Sequence, residues 1–153
     1  MKDGIDCINI YSKAKTQLGF WLSNFSPLPI SGGGHHFASV EAWWYWFETG
    51  KKHDCLKPIS GFAAKKEGRK FEKVQRVTPA LFKKVALLKL EQHPALKEAL
   101  KASTKPLVHF YEFNGQRVWP EKDFTAQIWT EIRAELQASG GPAGGQTFKK
   151  FDK

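Results

Sequence analysis

The densest chemistry in the chain begins at Glu41. Trp43, Trp44, Tyr45, Trp46 and Phe47 follow almost at once, and then Glu48. If the stretch is helical, each residue advances about 100° around the axis, so five large rings cannot all face one core. At least one or two of them line a cleft or meet solvent. The same turn brings Glu41, Trp44, Tyr45 and Glu48 onto one face, at i, i+3, i+4 and i+7. Two carboxylates then lie beside two rings. An aromatic face stacks on a planar base, at roughly 1–3 kcal/mol per base in single-strand binders. A carboxyl beside apolar rings loses solvation, and its pKa climbs toward the range useful for general acid–base work. A plain core helix with exposed acids has the same spacing.

Two further residues fit a nucleotide. Asn24, in Ser23-Asn24-Phe25, carries an amide that can hold ribose hydroxyls or a base edge, or simply close an Asx turn. Arg69 follows Gly68, which reads as the C-cap of a short helix. Its guanidinium can grip a phosphate with two parallel bonds, or stay solvated. The histidines build no metal site: His35-His36 sits beside glycines, and His53 with Cys55 forms one pair without a companion. Cys7 and Cys55 are too few for a disulfide framework and read as packing residues. No P-loop, nucleophile elbow or dinucleotide fingerprint occurs. The triple glycine Gly32 to Gly34 reads as a hairpin turn.

Stepwise along the chain, Ile5 to Tyr11 alternates and predicts a strand, and aromatic Gly19 to Phe25 a second extended segment. The proline- and glycine-rich stretch 26–37 predicts a hairpin connection. Ser39 predicts the N-cap of the aromatic helix, and Gly50 its stop. Gly61 to Lys70 predicts a short helix ending near Gly68. Thr78-Pro79 opens an amphipathic helix with Leu81, Val85 and Leu88 on one stripe, and His93-Pro94 breaks it and starts another, Pro94 to Ala102. Pro106 to Phe113 predicts a strand, Asn114-Gly115 a tight turn, and Gln116 to Trp119 the return. Asp123 caps a last helix with Phe124, Ile128, Ile132 and Leu136 on one stripe. No internal repeat is visible. The order predicts a single compact, helix-rich α+β domain with a few short strands and a C-terminal helix, over residues 1–138. Residues 139–153 predict a flexible, Gly-rich basic tail.

A chain of 153 residues suits one domain, and 41% hydrophobic with 14% aromatic content supports a core. The 24 basic and 15 acidic residues leave a net charge of +9. That surplus suits nucleic acid, phosphate-rich nucleotides or an anionic membrane. No apolar run approaches about 18 residues, so no membrane span is expected. The N-terminal stretch has acids and no apolar centre, so no secretory leader is expected either. Together these predict a soluble cytoplasmic domain.

Several short motifs occur in an order that resembles the NADAR family, the YbiA-like proteins named for a predicted link to NAD and ADP-ribose. They are Ser23-Asn24-Phe25 with Pro29-Ile30, then Phe37, Ser39, Val40 and Glu41 at a helix opening. Ala64, Gly68 and Arg69 follow, and then the run from Leu90 through Glu91, Gln92, His93, Pro94 and Ala95 to Leu96. The resemblance spans roughly Ile8 to Leu136. It implies hydrolysis of an N-glycosidic bond, without cofactor or metal, with Glu41 in catalysis and Asn24, Phe25, Trp44, Tyr45 and Arg69 binding substrate. Ala42 stands where the family usually has histidine, no tryptophan occurs between Phe71 and Leu81, and Trp119-Pro120-Glu121 with Asp123 stands where a W-G-D is common. By that likeness Trp119 is a stacking ring, and Glu121 or Asp123 a second carboxylate. The expected substrate is an ADP-ribosyl conjugate, with guanine of nucleic acid favoured by the basic surplus. A non-catalytic module holding ADP-ribose or NAD, an N-glycosidase for a riboflavin-biosynthesis intermediate, and a plain nucleic-acid binder are the alternatives.

Overall fold

A computed structural model describes residues 1–139. Its elements are β1 (Ile8–Asn9), α1 (Gln17–Leu22), β2 (Ile30–Gly32), β3 (His35–Phe37), α2 (Val40–Glu48), α3 (Gly61–Gly68), α4 (Pro79–Gln92), α5 (Pro94–Ala102), β4 (Leu107–Val108), β5 (Tyr111–Phe113), β6 (Gln116–Val118) and α6 (Thr125–Ser139). The strands form three separate pairs, and helices make most of the fold. This is the helix-rich α+β arrangement expected. Ser139 closes α6, and the rest of the predicted tail, 140–153, lies outside the described residues. No helix among the described residues is long and apolar enough to cross a membrane.

Local signals account for most helix boundaries. The Ser39 hydroxyl accepts from Ala42 N at 3.1 Å to open α2, and Thr78 does the same for Leu81 N at 3.2 Å before Pro79 in α4. Pro94 lacks the N–H that α4 would need to continue, so α5 starts there. The β2–β3 hairpin turns on Gly33 and Gly34, and the β5–β6 hairpin on Asn114 and Gly115, all with positive φ.

Four expectations are corrected. The extended segment over Gly19 to Phe25 is instead mostly the helix α1, capped by Thr16, whose hydroxyl accepts from Gly19 N at 3.0 Å. Only Ser23 to Phe25 leaves the helix. Gly19 is what lets α1 lie on β1, since a Cβ there would stand 2.2 Å from the Asn9 carbonyl oxygen. Of the strand over Ile5 to Tyr11 only Ile8–Asn9 pairs, because Lys2 O takes the N–H groups of Ile5 and Asp6 into a turn. The strand over Pro106 to Phe113 divides in two. β4 pairs in parallel with β1, β5 pairs with β6, and between them Asn9 captures Phe110. The Asn9 amide donates to Phe110 O and accepts from Phe110 N, both at 2.9 Å. Cys7 is buried but Cys55 is exposed, so only Cys7 is a packing residue.

The core gathers around α2. Trp43 and Trp46 join Ile30, Phe37, Phe82, Val85, Ile128, Trp129 and Ile132 in one cluster. Ile128, Ile132 and Leu136 of the predicted α6 stripe are buried, and Phe124 is packed at its edge.

Candidate functional site

α2 divides its rings between two sides of the helix, as a 100° turn requires. Trp43 stacks on Phe47 at 5.5 Å, and Trp46 meets Phe37 edge-on at 5.0 Å. These three side chains of α2 line a cavity of about 300 Å³ against the β2–β3 hairpin and α4. Trp44 points elsewhere: it stacks on Phe124 at 6.1 Å and meets Phe82 edge-on at 5.8 Å, between α4 and the start of α6.

The face carrying Glu41, Tyr45 and Glu48 is buried rather than solvated, with Glu41 9% and Glu48 6% exposed. The Glu41 N–H donates to the Asn24 carbonyl at 3.0 Å, which ties the Ser23-Asn24-Phe25 loop to the helix opening. Phe25 meets Phe62 of α3 edge-on at 5.1 Å. α3 itself lies so close to Tyr45 that a Cβ on Gly68 would stand 2.3 Å from two ring carbons. Gly68 is therefore the last residue of α3 for its bareness, and Arg69, in right-handed conformation, is the cap. Gly68→Ala should cost about 1–3 kcal/mol by overpacking, read as a lowered Tm in thermal unfolding.

Burial pushes the Glu41 carboxyl up to about 7, and neighbouring Glu48 adds to the rise. Lys65, Lys73 and Arg69 oppose it with their charges. Burial also raises the Tyr45 phenol, with Glu41 adding to it, while Arg69 acts against both by charge and hydrogen bond. Lys73 Nζ stands 3.4 Å from Glu48 Oε1 and 5.6 Å over the Tyr45 ring. That buried oxygen has an ion partner but no hydrogen bond among the described residues. Val74 N donates to Glu48 O at 2.8 Å, tying the strand of chain after Lys73 to the end of α2. An open groove of about 550 Å³ reaches Glu48 there, lined by Lys73, Gln75 and Arg76.

The structure thus collects Asn24, Phe25, Glu41, Tyr45 and Arg69 into one region. Trp119, Glu121 and Asp123 lie in the connection from β6 to α6. Trp119 is 54% exposed and packs on Phe110 at 5.1 Å, and Glu121 is exposed. Asp123 is engaged: His109 Nδ1 pairs with one oxygen, and Thr125 donates to the other from its backbone N at 3.2 Å and its hydroxyl at 2.8 Å. Burial alone would raise the Asp123 carboxyl, but the His109 bond and charge and the Thr125 bonds bring it below its usual value. Among the described residues, no hydrogen bond or ion pair joins this group to Glu41. Trp44, against Phe124, stands between α2 and that connection.

Three lysines escaped the sequence reading. The charges of Lys65 and Lys73 act on Glu41 because α3 and the chain after it pack over α2. Lys89 is fully buried, and its ammonium donates to Ser23 O at 3.0 Å and Ser26 Oγ at 3.1 Å, beneath the same loop that Glu41 holds from above. Burial lowers its pKa to about 7. The signal for it was available: Lys89 follows Phe82 and Ala86 at i+7 and i+3 on the buried side of α4. Among the described residues no cluster of three or more His, Cys, Asp or Glu side chains is placed to hold a metal ion.

No protein-family model matches the chain, and no curated protein sequence matches it. Among solved structures, the NMR structure of the E. coli protein YbiA is similar, with a TM-score of 0.67 and 24% sequence identity. The match covers 91% of this chain and 88% of that one. The chain therefore has the fold of YbiA, the architecture that its motif order implied.

Proposed function

We propose that the chain is an N-glycosidase that hydrolyses the N-glycosidic bond of an ADP-ribosyl conjugate, with guanine of nucleic acid as the leaving base and Glu41 as the acid–base group. The observation that carries this reading is the buried Glu41 carboxyl, poised near neutrality inside a rim of Lys65, Arg69 and Lys73. A group with a pKa near working pH can give a proton in one step and take one in the next. The resemblance to the NADAR family and the YbiA fold agree with it.

In this reading the protonated Glu41 gives its proton to the departing base nitrogen as the ribosyl C–N bond breaks. The sugar carbon acquires positive charge, which a carboxylate in a water-poor site stabilises. Glu48, buried on the face of α2 that carries Glu41 and held near Lys73, supplies that second carboxylate, while Asp123 is joined to Glu41 by no hydrogen bond or ion pair among the described residues. Water then adds to the sugar carbon and returns a proton to Glu41. Arg69, Lys65 and Lys73 hold the diphosphate, Asn24 orients ribose hydroxyls, and Phe25 and Tyr45 wall the sugar and base.

The test is product detection by chromatography after incubating the chain with an ADP-ribosyl-guanine oligonucleotide, ADP-ribosylated protein, NAD, and the riboflavin intermediate. Release of ADP-ribose from the oligonucleotide is expected. Tight calorimetric binding of ADP-ribose with no product from any of the four would replace the enzyme with a nucleotide-holding module.

A further inference from the structure

The cavity of about 300 Å³ takes no part in the chemistry proposed for Glu41, because it lies on the other side of α2. Trp43, Trp46 and Phe47 leave the helix there, roughly opposite Glu41 and Tyr45. On α4, Leu81, Lys84, Val85 and Leu88 fall at i, i+3, i+4 and i+7 and make the facing wall. The β2–β3 hairpin closes a third side with Ile30, His35 and Phe37.

That hairpin is fastened to the end of α4. Gln92 brackets the Ser31 backbone, its carbonyl accepting from Ser31 N at 2.9 Å and its amide donating to Ser31 O at 2.7 Å. His93 Nε2 donates to Pro29 O at 2.7 Å. Gly32 lets the two elements approach, since a Cβ there would stand 3.2 Å from a Leu88 methyl. The Gln92-His93 pair of the motif run thus holds the walls in place. A cavity whose walls are already set, in the range of about 300–1,000 Å³, is the usual form of a small-molecule site.

The lining selects the occupant. Rings and aliphatic side chains make most of it, so the body of the ligand is apolar, and a volume at the lower end of that range suits about two fused rings. Among the described residues, the lining holds two lysines, Lys51 and Lys84, and no Asp or Glu. Neither lysine enters an ion pair among those residues. Both are exposed, so their charges border the opening. The turn that ends α2 draws Lys51 back over the ring wall. Its N–H donates to Trp46 O at 2.9 Å, its φ is 62°, and its ammonium stands 5.3 Å over the Phe47 ring. A left-handed backbone is uncommon for lysine, and here it sets the charge beside the rings. Lys57 Nζ donates to His35 Nδ1 at 2.9 Å, which leaves the ring proton on Nε2, so His35 has no lone pair to offer a cation. The lining also has no Asn or Gln side chain among the described residues. No side-chain amide or carboxylate is there to read ribose hydroxyls or a base edge, or to receive the ammonium of an amino acid.

We infer that this cavity binds a small aromatic carboxylate, its ring system between the Trp43–Phe47 pair and the facing stripe of α4, and its carboxylate beside Lys51 and Lys84. The inference does not rest on the function proposed above.

Calorimetric titration of the full chain with 2-naphthoate tests it, beside two ligands of the same ring system, neutral 2-naphthylmethanol and cationic 2-naphthylmethylammonium. Saturable binding of the acid is expected, about fivefold to tenfold tighter than the alcohol, with the ammonium weaker than both. The double variant Lys51→Asn, Lys84→Gln should erase that preference and leave the alcohol's affinity unchanged. Both lysines are exposed and asparagine accepts a left-handed backbone, so this variant should keep its circular dichroism spectrum. Leu81→Trp fills the cavity from the half-buried edge of α4 and should remove binding of acid and alcohol alike. Absence of saturable binding of the acid overturns the inference. Equal affinity for acid and alcohol does the same, for it leaves an apolar void with lysines beside it by chance. A preference for the acid that survives the lysine variant, or binding that survives Leu81→Trp in a folded chain, puts the ligand elsewhere and is equally fatal.

Discussion

Glu41→Gln is expected to cut release of ADP-ribose from an ADP-ribosyl-guanine oligonucleotide by about 10²–10⁴-fold, the usual worth of a positioned acid or base. It should also make the protein more stable. The carboxyl titrates near 4.5 when exposed and near 7 in the folded chain. Below pH 4.5 it is protonated in both states, and its burial carries no electrostatic penalty. As pH rises from 4.5 to 7 the unfolded chain gives up the proton first, and stability falls by about 3 kcal/mol in all. Glutamine has the shape of the neutral acid and nothing to titrate. The variant should therefore match the unaltered chain near pH 4 and exceed it above pH 7, by urea unfolding at both. Undiminished base release would remove Glu41 from the mechanism. A stability difference that ignored pH would remove the account of its burial.

The second large effect belongs to Lys89. Its ammonium lies wholly inside the protein, where Ser23 O and Ser26 Oγ are its hydrogen-bond partners among the described residues, and burial brings its pKa from 10.5 to about 7. Stability contributed by such a group is present above pH 10.5 and is lost as pH falls toward 7, where folding must take a charged amine out of water. Lys89→Met removes the titration while filling much of the same space. From pH 6 to pH 10 the unaltered chain should gain on the order of 4 kcal/mol relative to the variant, measured by denaturant unfolding at each pH. Parallel curves would mean that the amine keeps its ordinary pKa. The Ser23 carbonyl is not abandoned in the variant, since Ser26 donates to it from its backbone N at 3.1 Å and its hydroxyl at 2.8 Å.

The helices announced themselves where one residue type has one local use. Ser39, Thr78-Pro79 and His93-Pro94 mark the starts of α2, α4 and α5 because capping hydroxyls and prolines act within a few residues. α1 was illegible because six residues are under two turns, too few for a period to show, and its aromatic residues mimic a strand. The division of the strand after Pro106 was illegible for another reason. The residue that interrupts it is Asn9, 101 positions earlier. The site follows the same rule. Helical spacing was enough to place Glu41 beside Tyr45 and Glu48, but it could not say that the acids face inward. The cations whose charges act on Glu41 come from α3 and the chain beyond it, and Gly68 lets that helix end lie against Tyr45 of α2.

The clasp of Asn9 on Phe110 has a consequence for how the molecule is made. Glu41, Arg69 and Lys89 all lie within the span of chain that it closes. A contact between ends so distant is formed late, because the entropy of closing a long loop comes before any reward from the contact. During synthesis, β1 waits for its parallel partner until β4 has emerged, after every residue assigned to the Glu41 site. The pieces of that site can form early, but the wall that joins first strand to fourth, and then α6 with its core residues, arrive after them, and a growing chain carries an unsealed domain until then.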